Sequence, residues 1–370
     1  MRYYLTIISM LFLALCTEAK KEQKEVFALV MKGDSCMQEH DSFHAINFYE
    51  QHIAQHPNDI DVRRKLASCY RLRGDNSRCV ATLDSIAKDS LTHEDLRMYF
   101  YSYLNLGDRD KIGQYGLQIK YKYPFDSEVF ASLLAHWNNT GKPENVSAYA
   151  LSYVEKYDST NILINKELAY SLFLQFRYDQ AIPRYQKLIA EGFNNYESNF
   201  VIGLCYYNEE KYQEAKTYLY KAVEFKKDNP NMNSLFYYGM ACKKLSESDK
   251  DIVERLKNRH LAIWYLNRSI EVAYPRSRGL YVNQQLAELY YKEQRYDEAA
   301  HAFAQCIEYD EEENPHNYYN AAQMYIAAKM KPQARLYLQM FLSKSDKLKD
   351  EKEKAKLTAK VKEQLKDIKP

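Results

Sequence analysis

Residues 204–222, LCYYNEEKYQEAKTYLYKA, decide how this chain is read. The phrase KYQEA at 211–215 recurs as RYDQA at 177–181 and RYDEA at 295–299, and the first two copies start 34 residues apart. Each phrase predicts a helix start, with acidic residues near the positive helix end and an Ala where two helices must come close. Ala215, Leu219, Ala222 and Val223 recur at helical spacing, as do Ile202, Gly203 and Tyr206 on the segment before. The pattern is a helix, a tight turn and an antiparallel helix. Such a pair cannot bury its apolar face alone, so copies must stack. The doublet Tyr206-Tyr207 returns as Tyr290-Tyr291. Neighbours on a helix point about 100° apart, so the two rings of a doublet belong to different surroundings.

Composition agrees with an all-α array. The 370 residues hold only 10 Gly and 9 Pro against 35 Tyr, and period-2 runs of β-branched residues between turn signals do not recur. Arg2, the apolar run from Tyr3 to Leu15, and small residues ending at Ala19 predict a cleaved signal peptide over 1–19. Export, with the periplasm as destination, is the expectation. Leu13-Ala14-Leu15-Cys16 resembles a lipoprotein box with Leu where a small residue is preferred, so a lipid on Cys16 is the alternative. The remaining six cysteines, Cys36, Cys69, Cys79, Cys205, Cys242 and Cys306, lack metal-type spacing; an even count in an exported protein permits disulfides, but their place in helical patterns makes buried thiols the expectation. The net charge is +2, with an excess of Lys after Lys344, which makes no electrostatic case for nucleic acid.

With these residues in view, the chain resembles the tetratricopeptide repeat family, whose unit has large apolar residues at positions 4, 7, 11 and 24 and small ones at 8, 20 and 27. Repeats starting at Val26, Ile60, His93, Ser127, Ile162, Tyr196, Met232, Leu280 and Pro315 cover 26–342 in regular phase. Position 7 is filled by residues such as Leu66, Leu168, Ile202 and Leu286, and position 8 by Ala67, Ala169, Gly203 and Ala287. The resemblance implies a right-handed superhelical α-solenoid over 20–343. Residues 246–260 interrupt the seventh repeat, and the expectation is an outward extension of its second helix capped by Ser248 or Asp249. Over 344–370, Leu357, Val361, Leu365 and Ile368 make one apolar stripe on a Lys/Glu-rich helix, which suits a cap over the last open face.

No phosphate loop, nucleophile elbow, His-Glu-x-x-His or Cys-x-x-Cys occurs, so the reading is a non-enzymatic protein without cofactor or metal. His40, His44, His52 and His56 crowd the first repeat, and packed or solvated rings are expected there. In the resembled family, first helices line a concave groove through positions 2, 5, 9, 12 and 13. Here those positions carry Phe27, Tyr101, Tyr170, Phe173, Phe200, Tyr207, Phe236, Tyr281, Tyr291 and Tyr319, and the last eight, from Tyr170 onward, fall in repeats five to nine. Position 9 is never Asn, so the family's carboxylate clamp is not carried over. Rigid exposed rings suit a peptide or partner protein, in envelope assembly or secretion. A glycan on the same rings is the alternative.

Overall fold

The computed structural model describes residues 28–272 and 279–368. The expected signal peptide, Cys16 and Phe27 lie outside them. The chain divides into two compact units, one ending at Ser171 and one beginning at Leu172. Among the described residues there is no β-strand.

In the first unit, helical residues 28–38 (α1) precede α2 (Ser42–Gln55), followed by α3 (Ile60–Leu72), α4 (Asn76–Asp84), α5 (His93–Leu106), α6 (Arg109–Lys122), α7 (Ser127–Asn139) and α8 (Pro143–Lys156). The unit boundary falls inside α9 (Ile162–Leu174). The second unit continues with α10 (Tyr178–Ala190), α11 (Tyr196–Asn208), α12 (Tyr212–Phe225), α13 (Met232–Ser248), α14 (Ile252–Glu271), α15 (Gly279–Lys292), α16 (Tyr296–Tyr309), α17 (Pro315–Ala327), α18 (Lys331–Lys344) and α19 (Glu351–Asp367). Ile60, His93, Ser127, Ile162, Tyr196, Met232 and Pro315, each a predicted repeat start, open their helices.

The turn inside each pair repeats as faithfully as the helices. Position 15 of eight repeats has a left-handed backbone, at His40, Gly74, Gly107, Gly141, Phe176, Glu210, Gln294 and Lys329. The next residue's N–H returns to the carbonyl of position 11, as from Lys211 to Tyr206 and Arg295 to Tyr290, both at 2.9 Å. This satisfies a carbonyl at the helix end. Only three of the eight are Gly, although the left-handed region costs other residues roughly 1 kcal/mol or more. Stacking of the two helices therefore imposes the turn against local preference. Their closeness is visible at Gly203, where a Cβ would lie 2.7 Å from Leu219 Cγ and 3.1 Å from the Leu219 backbone nitrogen.

The seventh repeat departs from this turn and corrects the expected extension. Both helices lengthen: α13 runs through Ser248 and α14 begins at Ile252, capped by Asp251, whose carboxylate accepts the Val253 N–H at 2.8 Å. Ser246 and Ser248 do not cap, because their hydroxyls bond back to the Lys243 and Lys244 carbonyls and continue α13, while Asp249 ends it.

Tyrosine builds the array in two recurring ways. Position 11 of a first helix stacks on position 23 of its partner, with ring centroids 5.6 Å apart for Tyr103–Tyr115 and Tyr206–Tyr218 and 5.2 Å for Tyr325–Tyr337. A polar side chain at position 25 then meets a Tyr hydroxyl of the next repeat. Asn267 and Gln186 donate to Tyr290 and Tyr206 at 2.9 Å, and the Tyr99 hydroxyl donates to Asp84 at 2.9 Å. Buried hydroxyls need such partners, so these three junctions specify their neighbours as well as burying apolar area.

The six described cysteines are unpaired, and all but Cys36 are buried. Burial pushes the thiols of Cys69 and Cys242 up to about 11 and those of Cys205 and Cys306 to about 12. They pack as small apolar groups and stay protonated at neutral pH. At the end of the chain Val361 is fully buried and Ile368 nearly so, against Leu338, Phe341 and Leu348. The Arg335 guanidinium donates to the Ile368 carbonyl at 2.7 Å, and Gln323 and Gln364 exchange bonds at 3.0 Å. The charged C-terminal helix thus packs on the last repeat.

Candidate functional site: an aromatic face of first helices

Successive first helices of the second unit bring a ring cluster to one face. Phe200 and Tyr207 stand on α11, Phe236 and Tyr237 on α13, and Tyr281 on α15. Tyr237 is the hub, 6.2 Å from Phe200, 5.8 Å from Tyr207 and 5.1 Å from Phe236, all edge-to-face. Phe236 reaches Tyr281 at 5.9 Å, and Tyr212 closes on Tyr207 at 5.5 Å. Burial pushes the Tyr207 hydroxyl well above its ordinary range, with Tyr281, Tyr212, Tyr237 and Glu247 adding to the shift. That hydroxyl stays neutral and can donate a hydrogen bond.

A charged ladder borders the rings. Lys243, only 5% exposed, places its ammonium 2.5 Å from Glu288 Oε2 and 2.8 Å from Gln285 Oε1. Lys292 lies 2.9 Å from Glu288 and 3.0 Å from Glu247. Burial pushes the Glu288 carboxyl up, but Lys243 and Lys292 more than offset this and hold it below the usual carboxylate range. Glu247 belongs to the extra turn of α13, so the insertion supplies one rung.

The sequence-predicted rings are therefore brought together only in part. Phe200, Tyr207, Phe236 and Tyr281 join the cluster, although Phe236 is almost fully buried. Tyr291 is 52% exposed and touches only Tyr296 among described rings, at 5.9 Å. Phe173 is half-buried and 6.0 Å from Tyr178. Tyr319 lies 5.7 Å from Phe341 with the Lys360 ammonium 5.6 Å from its ring, and so serves the packing of the terminal cap. Tyr170 is half-buried on the first unit's portion of α9. Tyr237 was not anticipated because it occupies position 6, outside the family's groove positions. The uninterrupted Phe236-Tyr237-Tyr238 run was the available signal.

In the first unit the corresponding face is ionic. Asp126, which caps α7, accepts Arg97 from α5 at 2.6 Å, His93 at 2.7 Å and the Val129 N–H at 3.2 Å. Burial pushes its carboxyl up, yet Arg97, Val129 and His93 together hold it below the ordinary range. A depressed carboxyl stabilises the fold above its unfolded pKa, near 4, and that contribution is lost as pH falls through the lower folded value. Asp126→Asn is accordingly expected to be less stable at neutral pH and to show a shallower acid loss below about pH 4. Denaturant titrations at stepped pH, probing first-unit amides, check both; parallel acid curves would refute the role of this carboxyl.

Two histidines of the first repeat bond different carboxylates, and the His52 and His56 rings lie 5.1 Å apart. His44 bonds Asp41 at 2.5 Å, and buried His52 bonds Asp59 at 2.8 Å. Among the described residues no group of three His, Cys, Asp or Glu side chains could hold a metal, and no helix is long and apolar enough to cross a membrane.

Residues 196–229 and 285–347 each match a family described as tetratricopeptide repeat. No curated protein matches the chain. Among solved structures, a tetratricopeptide repeat protein from Parabacteroides merdae is 18% identical over 75% of this chain and 98% of its own, with a TM-score of 0.44. PilF of Pseudomonas aeruginosa is 17% identical over 63% and 96%, with a TM-score of 0.44. YrrB, described as a repeat protein of this kind with an unusual peptide-binding site, is 20% identical over 57% and 97%, with a TM-score of 0.43. The first matched segment spans α11 and α12 and the second runs from within α15 through α18, so the chain carries tetratricopeptide repeats in its second unit.

Proposed function

We propose that the protein is a non-enzymatic adaptor that holds an extended segment of a partner protein against the first-helix face of its second unit. The observation that carries this reading is the ring cluster on α11, α13 and α15, centred on Tyr237 and edged by the Lys243–Glu288 ladder. Rigid rings give contact area at little entropic cost, and the tyrosine hydroxyls and the ladder offer groups for a peptide backbone. Action outside the cytoplasm, in envelope assembly or secretion, is part of the proposal and rests on the signal-like residues 1–19.

A photocrosslinking residue at Tyr281 is expected to capture a partner that the same residue at exposed Leu336, on a second helix, does not. Tyr237→Ala combined with Tyr281→Ala is expected to weaken that partner's binding by about tenfold or more. Equal capture from both positions, or binding unchanged in the double variant, would place the partner elsewhere.

A further inference from the structure

A second opening in the same unit lies away from the ring cluster. A cleft of about 720 Å³ is floored by Val223, Leu235 and Ile263 and walled by Trp264 and Tyr265 of α14. Trp264 is 59% exposed, with its ring edge-on to Tyr265 at 4.4 Å. It occupies position 22 of the repeat, the insertion set aside, two residues beyond the small Ala262. The same position holds Thr217 in the sixth repeat and His301 in the eighth. Those residues belong in water. The indole touches Tyr265 on one side and leaves most of its surface in solvent, so packing alone does not explain so large an apolar ring at this position.

The rim tells which ligands the cleft suits. Both rim arginines are matched by carboxylates, Arg268 lying 2.6 Å from Glu271 and Arg295 bonding Glu298 and lying 3.2 Å from Glu293, while the Lys226 ammonium sits over the Tyr196 ring at 5.3 Å and Lys227 also lines the rim. A phosphate or an acidic peptide would have to break these pairs, at the cost of uncompensated carboxylates. A wholly apolar ligand would cover the same polar groups without replacing their water. What stays available is a flat aromatic face surrounded by planar amide, carboxylate and guanidinium groups. This suits a ligand with one apolar C–H face and a hydroxylated edge.

We propose that this cleft binds a neutral oligosaccharide, with a pyranose ring stacked on Trp264 and its hydroxyls on the Asn231, Glu224 and Arg268 rim. The site is separate from the adaptor face, so either can fail without the other.

The test uses the full-length protein in calorimetric titrations with maltohexaose, cellohexaose and laminarihexaose, and with polygalacturonate and ATP as anionic probes. At least one neutral hexasaccharide is expected to bind saturably. Trp264→Ala should weaken it by about tenfold or more, Trp264→Phe should retain part of the affinity, and Leu336→Ala at an exposed position of α18 should leave it unchanged. Trp137, the chain's other tryptophan, is only 7% exposed, so the emission shift on binding should vanish in Trp264→Phe. Circular dichroism of both Trp264 variants confirms that the fold is kept. Binding of the anionic probes alone, no saturable binding by any neutral probe, or saccharide binding that survives Trp264→Ala would each overturn the proposal.

Discussion

Val361→Asp is expected to release the C-terminal helix from the last repeat. Val361 is completely buried on α19, and a carboxylate there would have no partner among Leu338, Phe341 and Leu348. Losing the apolar contact and burying an unpaired polar group should together cost about 3 kcal/mol or more. The chain can avoid this by undocking α19, which gives up the Arg335 and Gln323 bonds and exposes Phe341. Hydrogen exchange should show α19 and α17–α18 losing protection first, because a repeat array opens from an uncapped end. Exposed Lys362 provides the control: Lys362→Asp should stay within about 0.5 kcal/mol of the parent. Unchanged protection of α19 in Val361→Asp would mean that the helix is not a cap.

The doublet Tyr206-Tyr207 offers the second large effect. Tyr206 is 8% exposed, stacked on Tyr218 and bonded through its hydroxyl to Gln186 of the preceding repeat. Tyr206→Ala removes the ring stack, the junction bond and the buried volume at once, and is expected to cost about 3 to 5 kcal/mol. Tyr207 instead joins the aromatic face, where Tyr207→Ala gives up two edge-to-face contacts, with Tyr212 and Tyr237. At about 0.5 to 1.5 kcal/mol per ring pair, this change should cost about 1 to 3 kcal/mol and chiefly weaken partner binding. Urea titration of both variants separates the roles. Equal losses of stability would show that Tyr207 is a packing residue like its neighbour.

Much of the fold was legible because repetition multiplies a weak signal. A single KYQEA phrase says little, but helix starts at Ile60, His93, Ser127, Ile162, Tyr196, Met232 and Pro315 follow from one phase. The cap was legible for a related reason: Leu357, Val361, Leu365 and Ile368 share one side of a helix whose other residues favour water. The site was harder. A position number tells which way a side chain leaves its helix but leaves open what it then meets. Tyr291 and Tyr319 occupy groove positions in the pattern, yet one stands apart and the other lies by the cap, while Tyr237 enters the cluster from an unmarked position.

The sequence alone determined the helix pairs, their phase, the inward setting of Tyr206 at position 11 and the apolar stripe of the last helix, since all of these depend on spacing within one chain segment. The tertiary structure decided three further things: the left-handed turns at residues such as Glu210 and Lys329, the division of the 246–260 insertion between α13 and α14, and the meeting of five rings from α11, α13 and α15. The insertion divides where Asp251, one of several polar candidates, caps the second helix. The turns follow from the stacking of the two helices they join and the ring cluster from the packing of successive repeats, where packing free energy outweighs the local preferences that a sequence pattern records.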